Sequence, residues 1–296
     1  MRLVRDRRDR AEVAGADVAA VPVGRRGALF LVAASLLGLV AFGWPLVAQP
    51  AATGADLAHA SDAPWIFVVL LPLLLCVVLA EVADGALDAK AVAVLGVLAA
   101  CGAVLRLPSG AVGGFEPMFF LLVPAGRVLG RGFGFVLGAL TMFVSALLTG
   151  GVGPWLPFQM FGAAWMGFGA GCLPPLRGRA EVALLAAYGF VAGLVFGLLL
   201  NFWFWPFGIS AGTELSFVPG DATVENLRRF WAFHLATSLG WDLPRALTNA
   251  VLLAVAGPSV LAALRRAGRR AAFAAPVTFA QPVAPAPGGG SSGNSS

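Results

Sequence analysis

Lysine is nearly missing from this chain: Lys90 is the only one among 296 residues, and no glycine-rich turn precedes it. A phosphate-binding loop of the form G-x-x-x-x-G-K-[ST] needs a lysine to reach the phosphates. The chain therefore hydrolyses no ATP by that route, and any ATP-driven work must draw on another polypeptide. Histidine is as scarce. His59 and His234 lie far apart and form no H-E-x-x-H pair, which excludes that zinc chemistry. Cys76, Cys101 and Cys172 fall within apolar runs, in no metal-ligand spacing, and read as small core residues rather than a disulfide framework or a metal site. No catalytic residue, metal or cofactor is expected. Charge itself is sparse, at 12% of residues against 59% hydrophobic, far from the soluble norm of about a quarter charged and about half apolar.

What the sequence does have is length in its apolar runs. They extend for roughly 16 to 23 residues, the reach a helix needs to cross a hydrocarbon core of about 30 Å. Lipid offers the backbone no hydrogen-bond partner, and no alternating period of a membrane barrel is present, so the runs read as helices. The expected fold is an all-α polytopic membrane protein with about eight spans: 27–48, 65–82, 90–106, 116–129, 132–149, 157–173, 181–204 and 242–264. Residues 226–240 read as an interfacial helix or as an extension of the last span bent near Pro244. The span 116–129 is short and is expected to break or tilt near Pro124. The first run reads as a retained helix rather than a signal peptide.

Charge placement gives the topology. Residues 1–26 form a basic arm (Arg2, Arg5, Arg7, Arg8, Arg10, Arg25, Arg26), and Arg265, Arg266, Arg269 and Arg270 form a second cluster where the tail 266–296 begins, a segment expected to be disordered and Pro/Gly/Ser-rich beyond Phe279. With both termini cytoplasmic, Lys90, Arg127, Arg131, Arg177 and Arg179 join them, which puts sixteen of the twenty basic residues inside. Arg106, Arg228 and Arg229 fall outside, and Arg245 lies within the last span. The net charge of +5 is thus a cell-membrane orientation signal, not a nucleic-acid patch. Trp44, Trp65, Trp155, Trp203, Trp205, Trp231 and Trp241 all map to the outer half, and only Trp165 is mid-span. An interface belt explains Trp44 and Trp65; so one-sided a set also suits rings lining an outward-facing pocket.

Two outer loops carry the local signals. Gly110, Gly113, Gly114 and Pro117 turn the first sharply; Gly150, Gly151, Gly153, Pro154 and Pro157 turn the second, with Trp155, Phe158 and Gln159 set among them. Such a loop reads equally as a binding lip or as a tight re-entry turn. Asp242 and Arg245 are three apart on one helical face, and their simplest reading is a mutual pair. Glu116 pairs with a cationic group or with Arg106, and Asn201 is a further polar candidate.

The run Gly153-Pro154-Trp155-Leu156-Pro157-Phe158-Gln159-Met160, the G-G-F-x-P element at Gly113, Gly114, Phe115 and Pro117, and W-D-L-P-R-A-L-T-N-A from Trp241 to Ala250 resemble the substrate-binding S components of energy-coupling factor (ECF) transporters, in a vitamin-uptake branch. The resemblance covers about residues 90–265. It implies a six-helix core there, with 27–89 as an added N-terminal transmembrane hairpin. It implies no enzyme but the substrate-specific part of an ABC-type importer, capturing a vitamin or cofactor precursor at the outer face. The partners implied are a transmembrane EcfT-type coupling subunit and two ABC ATPases. Family binding loops map to 106–117, 150–159 and 203–227, giving substrate-binding candidates Glu116, Trp155, Gln159, Trp203, Trp205 and Trp241, whose rings would stack on a flat ligand. Docking in the family uses small residues on the first core helix; Gly96, Ala99, Ala100 and Ala103 supply that spacing here. The ligand set suggested by the aromatics is a cobalamin, flavin or thiamin relative. The alternative function is a self-contained secondary permease, which would need an ion relay of core carboxylates.

Overall fold

A computed structural model describes residues 25–47, 68–69, 71–72, 74–75, 89–110, 113–208 and 213–271. The basic arm up to residue 24, most of the expected span 65–82 with Trp65 and Cys76, His59, and the tail beyond Ala271 lie outside the described residues.

The apolar runs become helices because each must close its own backbone hydrogen bonds. Among the described residues these are α1 (Arg25–Val47), α2 (Ala89–Arg106), α3 (Phe119–Leu129), α4 (Arg131–Thr149), α5 (Leu156–Gly171), α6 (Gly178–Gly208), α7 (Thr223–Thr237), α8 (Leu239–Val255) and α9 (Gly257–Ala271), with a short 3-10 turn at Leu107–Gly110 and no strand. The protein is an all-α membrane protein. Among the described residues, helices α2, α4 and α6 are long and apolar enough to cross a bilayer, and the bent pair α8–α9 meets the same requirement when its two helices are taken together as one span; α3 and Ala28–Gly43 of α1 are shorter apolar helices.

Three expected boundaries shift. The short helix α3 starts at Phe119, not 116, and runs unbroken through Pro124. The expected last span, 242–264, is two helices bent by 65° at Ala256. Pro244 sits inside α8 and breaks nothing. The break belongs to Gly257-Pro258: proline has no N–H to give and disfavours helical backbone before it, so it ends one helix and fits the first turn of the next. Finally, α9 continues through Ala271, past the expected core end at 265, while 226–240 resolves into α7, a separate helix ending at Thr237.

Helix α5 lies at the centre, packed most extensively on α4 and also on α3; α6 and α8 form the second tight pair, and α2 lies on α4. The α4–α5 contact is main chain against main chain. A Cβ placed on Gly134 would strike the carbonyl of Gly167, and one on Gly167 that of Gly134. Only glycine permits so close an approach. Around it the core is filled by fully buried Phe119, Phe133, Phe135, Phe158, Phe161 and Phe196. A smaller cluster of Trp205, Phe217, Phe230 and Phe233 joins the end of α6 to α7.

The bundle has two polar ends, separated along the 19 residues of α4 by about 28 Å of helix. One gathers Arg106, Glu116, Trp155 and Arg245. The other gathers Arg127, Glu181 and Arg265.

Candidate functional site

The site is built from a loop fixed by a distant helix. Gly114 has φ +75, in the left-handed region, and a Cβ there would collide with the backbone carbonyl of Trp241. The chain can therefore lie flat against the start of α8 only with glycine at this position. Beyond it, Asn249 of α8 donates from Nδ2 to the Glu116 carbonyl (2.9 Å) and accepts the Phe120 N–H through Oδ1 (2.9 Å). A helix start leaves its first N–H groups unpaired, and Asn249 caps α3 from a different helix. This cap fixes the backbone at Glu116.

Glu116 meets two arginines. Its Oε2 lies 2.5 Å from Arg245 Nε, and its Oε1 3.8 Å from Arg106 Nε. Arg245 also donates from a terminal nitrogen to Asp242 Oδ1 (2.6 Å) and lies over the Phe196 ring, 5.5 Å from its centroid. Arg106 reaches Ser145 Oγ at 3.2 Å and Gln159 Oε1 at 3.3 Å. The sequence pairs Asp242 with Arg245 and gives Glu116 to Arg106 or to a ligand. In the structure Arg245 serves both acids at once, and Glu116 is closer to it than to Arg106. Two carboxylates and two guanidinium groups thus compensate one another where isolated charge would be prohibitive.

Two clefts open on either side of this network. The first, about 300 Å³, is lined by Arg106, Glu116, Trp155, Gln159, Trp241 and Arg245. Trp155 is 41% exposed and Trp241 55%, unusual for rings of that size unless they face a partner or lipid. Trp155 is oriented by a hydrogen bond from its Nε1 to the Gly151 carbonyl (3.1 Å), and Gly153 leaves room beneath the ring. The second cleft, about 360 Å³, is lined by Asn201, Phe204, Ser238, Asp242 and, again, Trp241 and Arg245. Asp242 Oδ2 is buried there without a hydrogen-bond partner. Asn201 Nδ2 contacts His234 Nδ1 at 2.9 Å and also donates to Ser238 Oγ. That leaves His234 Nε2 facing Asp242 Oδ2 across 3.9 Å. Trp241 and Arg245 form the wall shared by the two clefts.

Of the six candidate binding residues, the structure brings Glu116, Trp155, Gln159 and Trp241 together. It places the other two elsewhere. Trp203 is 8% exposed and stacks at 5.2 Å on Phe158 in the main core. Trp205 is fully buried, donates from Nε1 to the Leu215 carbonyl at 2.6 Å, and packs on Phe217 and Phe230. Neither lines either of these two clefts, because both are buried in the bundle from α6. The described part of the loop 203–227 closes on itself. Asn226 bonds both the N–H and the carbonyl of Val218, each at 2.9 Å, and Arg229 pairs with Asp221 at 2.6 Å. That hydrogen bond from Arg229 holds the Asp221 carboxyl below its ordinary pKa. Residues the sequence did not assign to a binding role are Arg106 and Arg245 in the first cleft and Ser238 in the second, with His234 behind it, bonded to Asn201. The i, i+3, i+7 spacing of Asp242, Arg245 and Asn249 was the available signal.

The small-residue face of α2 also divides. Ala99 and Ala103 are buried, 1% and 0% exposed, where α2 packs on α4. Gly96 and Ala100 face outward, beside exposed Val97 and Val104. Among the described residues no three His, Cys, Asp or Glu side chains gather as a metal site.

The model of the family described as ECF transporter, substrate-specific component, matches residues 90–257, from the start of α2 to the break after α8. No curated protein matches the chain, and no solved structure does.

Proposed function

The chain belongs to the family of substrate-specific components of ECF transporters, and from that premise we propose that the paired clefts around Trp241 and Arg245 capture its solute. As a member it is a membrane transporter component rather than an enzyme, and it works with an energising module. The reading beyond this is that the solute is a vitamin or cofactor precursor, taken at the outer face, with both termini cytoplasmic. A transmembrane coupling subunit and two ATPases would then supply the power.

One observation carries the reading. Trp155 and Gln159 of the G-P-W-x-P-F-Q-M run, Glu116 of the glycine turn, and Trp241 of the W-D-L-P-R run line a single open cleft, although they are scattered over more than a hundred residues of sequence. The exposed rings offer flat apolar faces. Gln159 offers an acceptor and donors, and the balanced Arg106–Glu116–Arg245–Asp242 set favours a ligand that is neutral or zwitterionic over one with large net charge. Clefts of about 300 and 360 Å³ sit at the small end of ligand pockets. That favours a solute of thiamin or flavin size over a cobalamin.

For the partner, the outward face of Gly96 and Ala100 on α2 is the surface we assign to the coupling subunit, since small residues let a second helix approach closely. Ala99 and Ala103 support that face from behind by seating α2 on α4.

The experiment is native mass spectrometry of the full chain purified from its membrane, followed by binding measurements with whatever small molecule is retained. Trp155→Ala is expected to weaken binding by about tenfold or more, the loss typical of an aromatic anchor; unchanged affinity would falsify the cleft assignment. Uptake by the lone chain in liposomes under an ion gradient would favour the secondary-permease alternative. Co-purification with a coupling subunit and ATPases would oppose it.

A further inference from the structure

The opposite end of the bundle has an unbalanced charge. Glu181 is 1% exposed and is gripped from two sides: Arg127 donates to it at 3.0 Å, and Arg265 reaches both its oxygens at 2.7 and 2.8 Å. Arg127 also ties down the Leu173 carbonyl at 2.9 Å. Beside this cluster a groove of about 780 Å³ runs between the start of α6 and α9. Glu181 is the only acidic residue that lines it, and its charge is already met. Arg179, Arg266 and Arg269 stand around the same groove, and the N-terminus of α6 adds the positive end of its dipole.

The rest of the lining is apolar. Val182, Ala254 and Leu261 line the groove, which adjoins the exposed α8 residues Val251 (57%) and Val255 (76%). In a membrane that strip of α8 faces acyl chains. A cationic rim continuous with a lipid-facing apolar wall matches an amphiphile with an anionic head. We propose that this groove holds an anionic phospholipid of the surrounding bilayer, its phosphate on Arg179, Arg266 and Arg269 and an acyl chain along α8. The chain's own tail is a poor occupant by charge: residues 272–296 contain no Asp or Glu. A soluble phosphate compound would leave the apolar wall unmatched.

The test uses the full chain in nanodiscs and in native mass spectrometry, with phosphatidylglycerol and phosphatidylcholine as probes. The parent is expected to retain phosphatidylglycerol about tenfold better than phosphatidylcholine, as basic residues at an anionic membrane surface do. The double variant Arg266→Ala/Arg269→Ala should lose most of that preference, and Arg266→Lys/Arg269→Lys should keep it. Both positions are exposed and neither is bonded to Glu181, so folding is expected to survive; its melting curve checks this. Should the alanine variant fail to fold, the parent alone decides: phosphatidylglycerol must raise its melting midpoint and phosphatidylcholine must not. Equal retention of the two lipids, a preference untouched by the alanine pair, or displacement of the lipid by inorganic phosphate would each overturn the proposal. So would an alanine variant that keeps its lipid preference but no longer co-purifies with the energising module, which would make the groove a protein contact.

Discussion

The two ends of the bundle bury their carboxylates in opposite ways. At the Trp155 end Glu116 and Asp242 are balanced by Arg106 and Arg245, and the network lies between two open clefts. At the Arg127 end a single buried carboxylate, Glu181, sits under an excess of arginines. A balanced set can exchange one polar partner for another without stranding net charge. The unbalanced set always attracts anions and has little to exchange. The first arrangement suits a site that fills and empties; the second suits a permanent anchor.

The largest expected effect is at Arg245. Arg245→Met leaves Glu116 and Asp242 buried together without their shared counter-charge and should destabilise the protein by about 3–5 kcal/mol, read as a lowered unfolding midpoint in detergent. Next is Trp205→Ala, which empties the centre of the α6–α7 cluster and should cost about 3–5 kcal/mol through lost packing, with solute affinity changed only as far as folding is. Glu181→Gln should cost less, roughly 1–3 kcal/mol, because Arg265, with 38% of its side chain exposed, can turn to water. If Glu181→Gln proves as damaging as Arg245→Met, the two ends do not differ in the way described. Trp155→Ala should move stability by less than about 0.5 kcal/mol, as exposed positions do, while lowering affinity.

The smallest effect is at Asp221. Its folded pKa lies below the ordinary value because Arg229 donates a hydrogen bond to it. The contribution is therefore present above the ordinary carboxylate pKa and is lost as pH falls through the depressed folded value. Asp221→Asn should remove that slight acid sensitivity, and at an exposed position it should do little else.

Much of the fold is legible in the length of the apolar runs, because lipid forces each into a self-satisfied helix. The break at Ala256 was written in Gly257-Pro258, yet the hydropathy runs smoothly across it and hides the bend. The residues that line the first cleft were legible where polar or aromatic side chains stand in glycine-turned loops, as Trp155, Gln159 and Glu116 do. Trp203 and Trp205 show the limit. They are equally aromatic and equally near the end of a span, and only the rotation of α6 against Phe158 and Phe230 decides that they point inward. Arg245 shows another: its i, i+3 partner can be read from spacing, but the bond to Glu116 joins positions 129 residues apart, and no local pattern reports it.

The glycine contact between α4 and α5 has a mechanical consequence for the bundle. Gly134 stands at the start of α4 and Gly167 near the end of α5, so main chains that touch there clamp the end of the pair remote from Trp155 and leave no side-chain padding on which to slide. Helices α6 and α8 are keyed in the same manner, Gly193 lying against the Ala246 backbone. With both pairs locked, any change in the shape of the clefts falls to exposed side chains such as the Trp241 ring, not to helices parting.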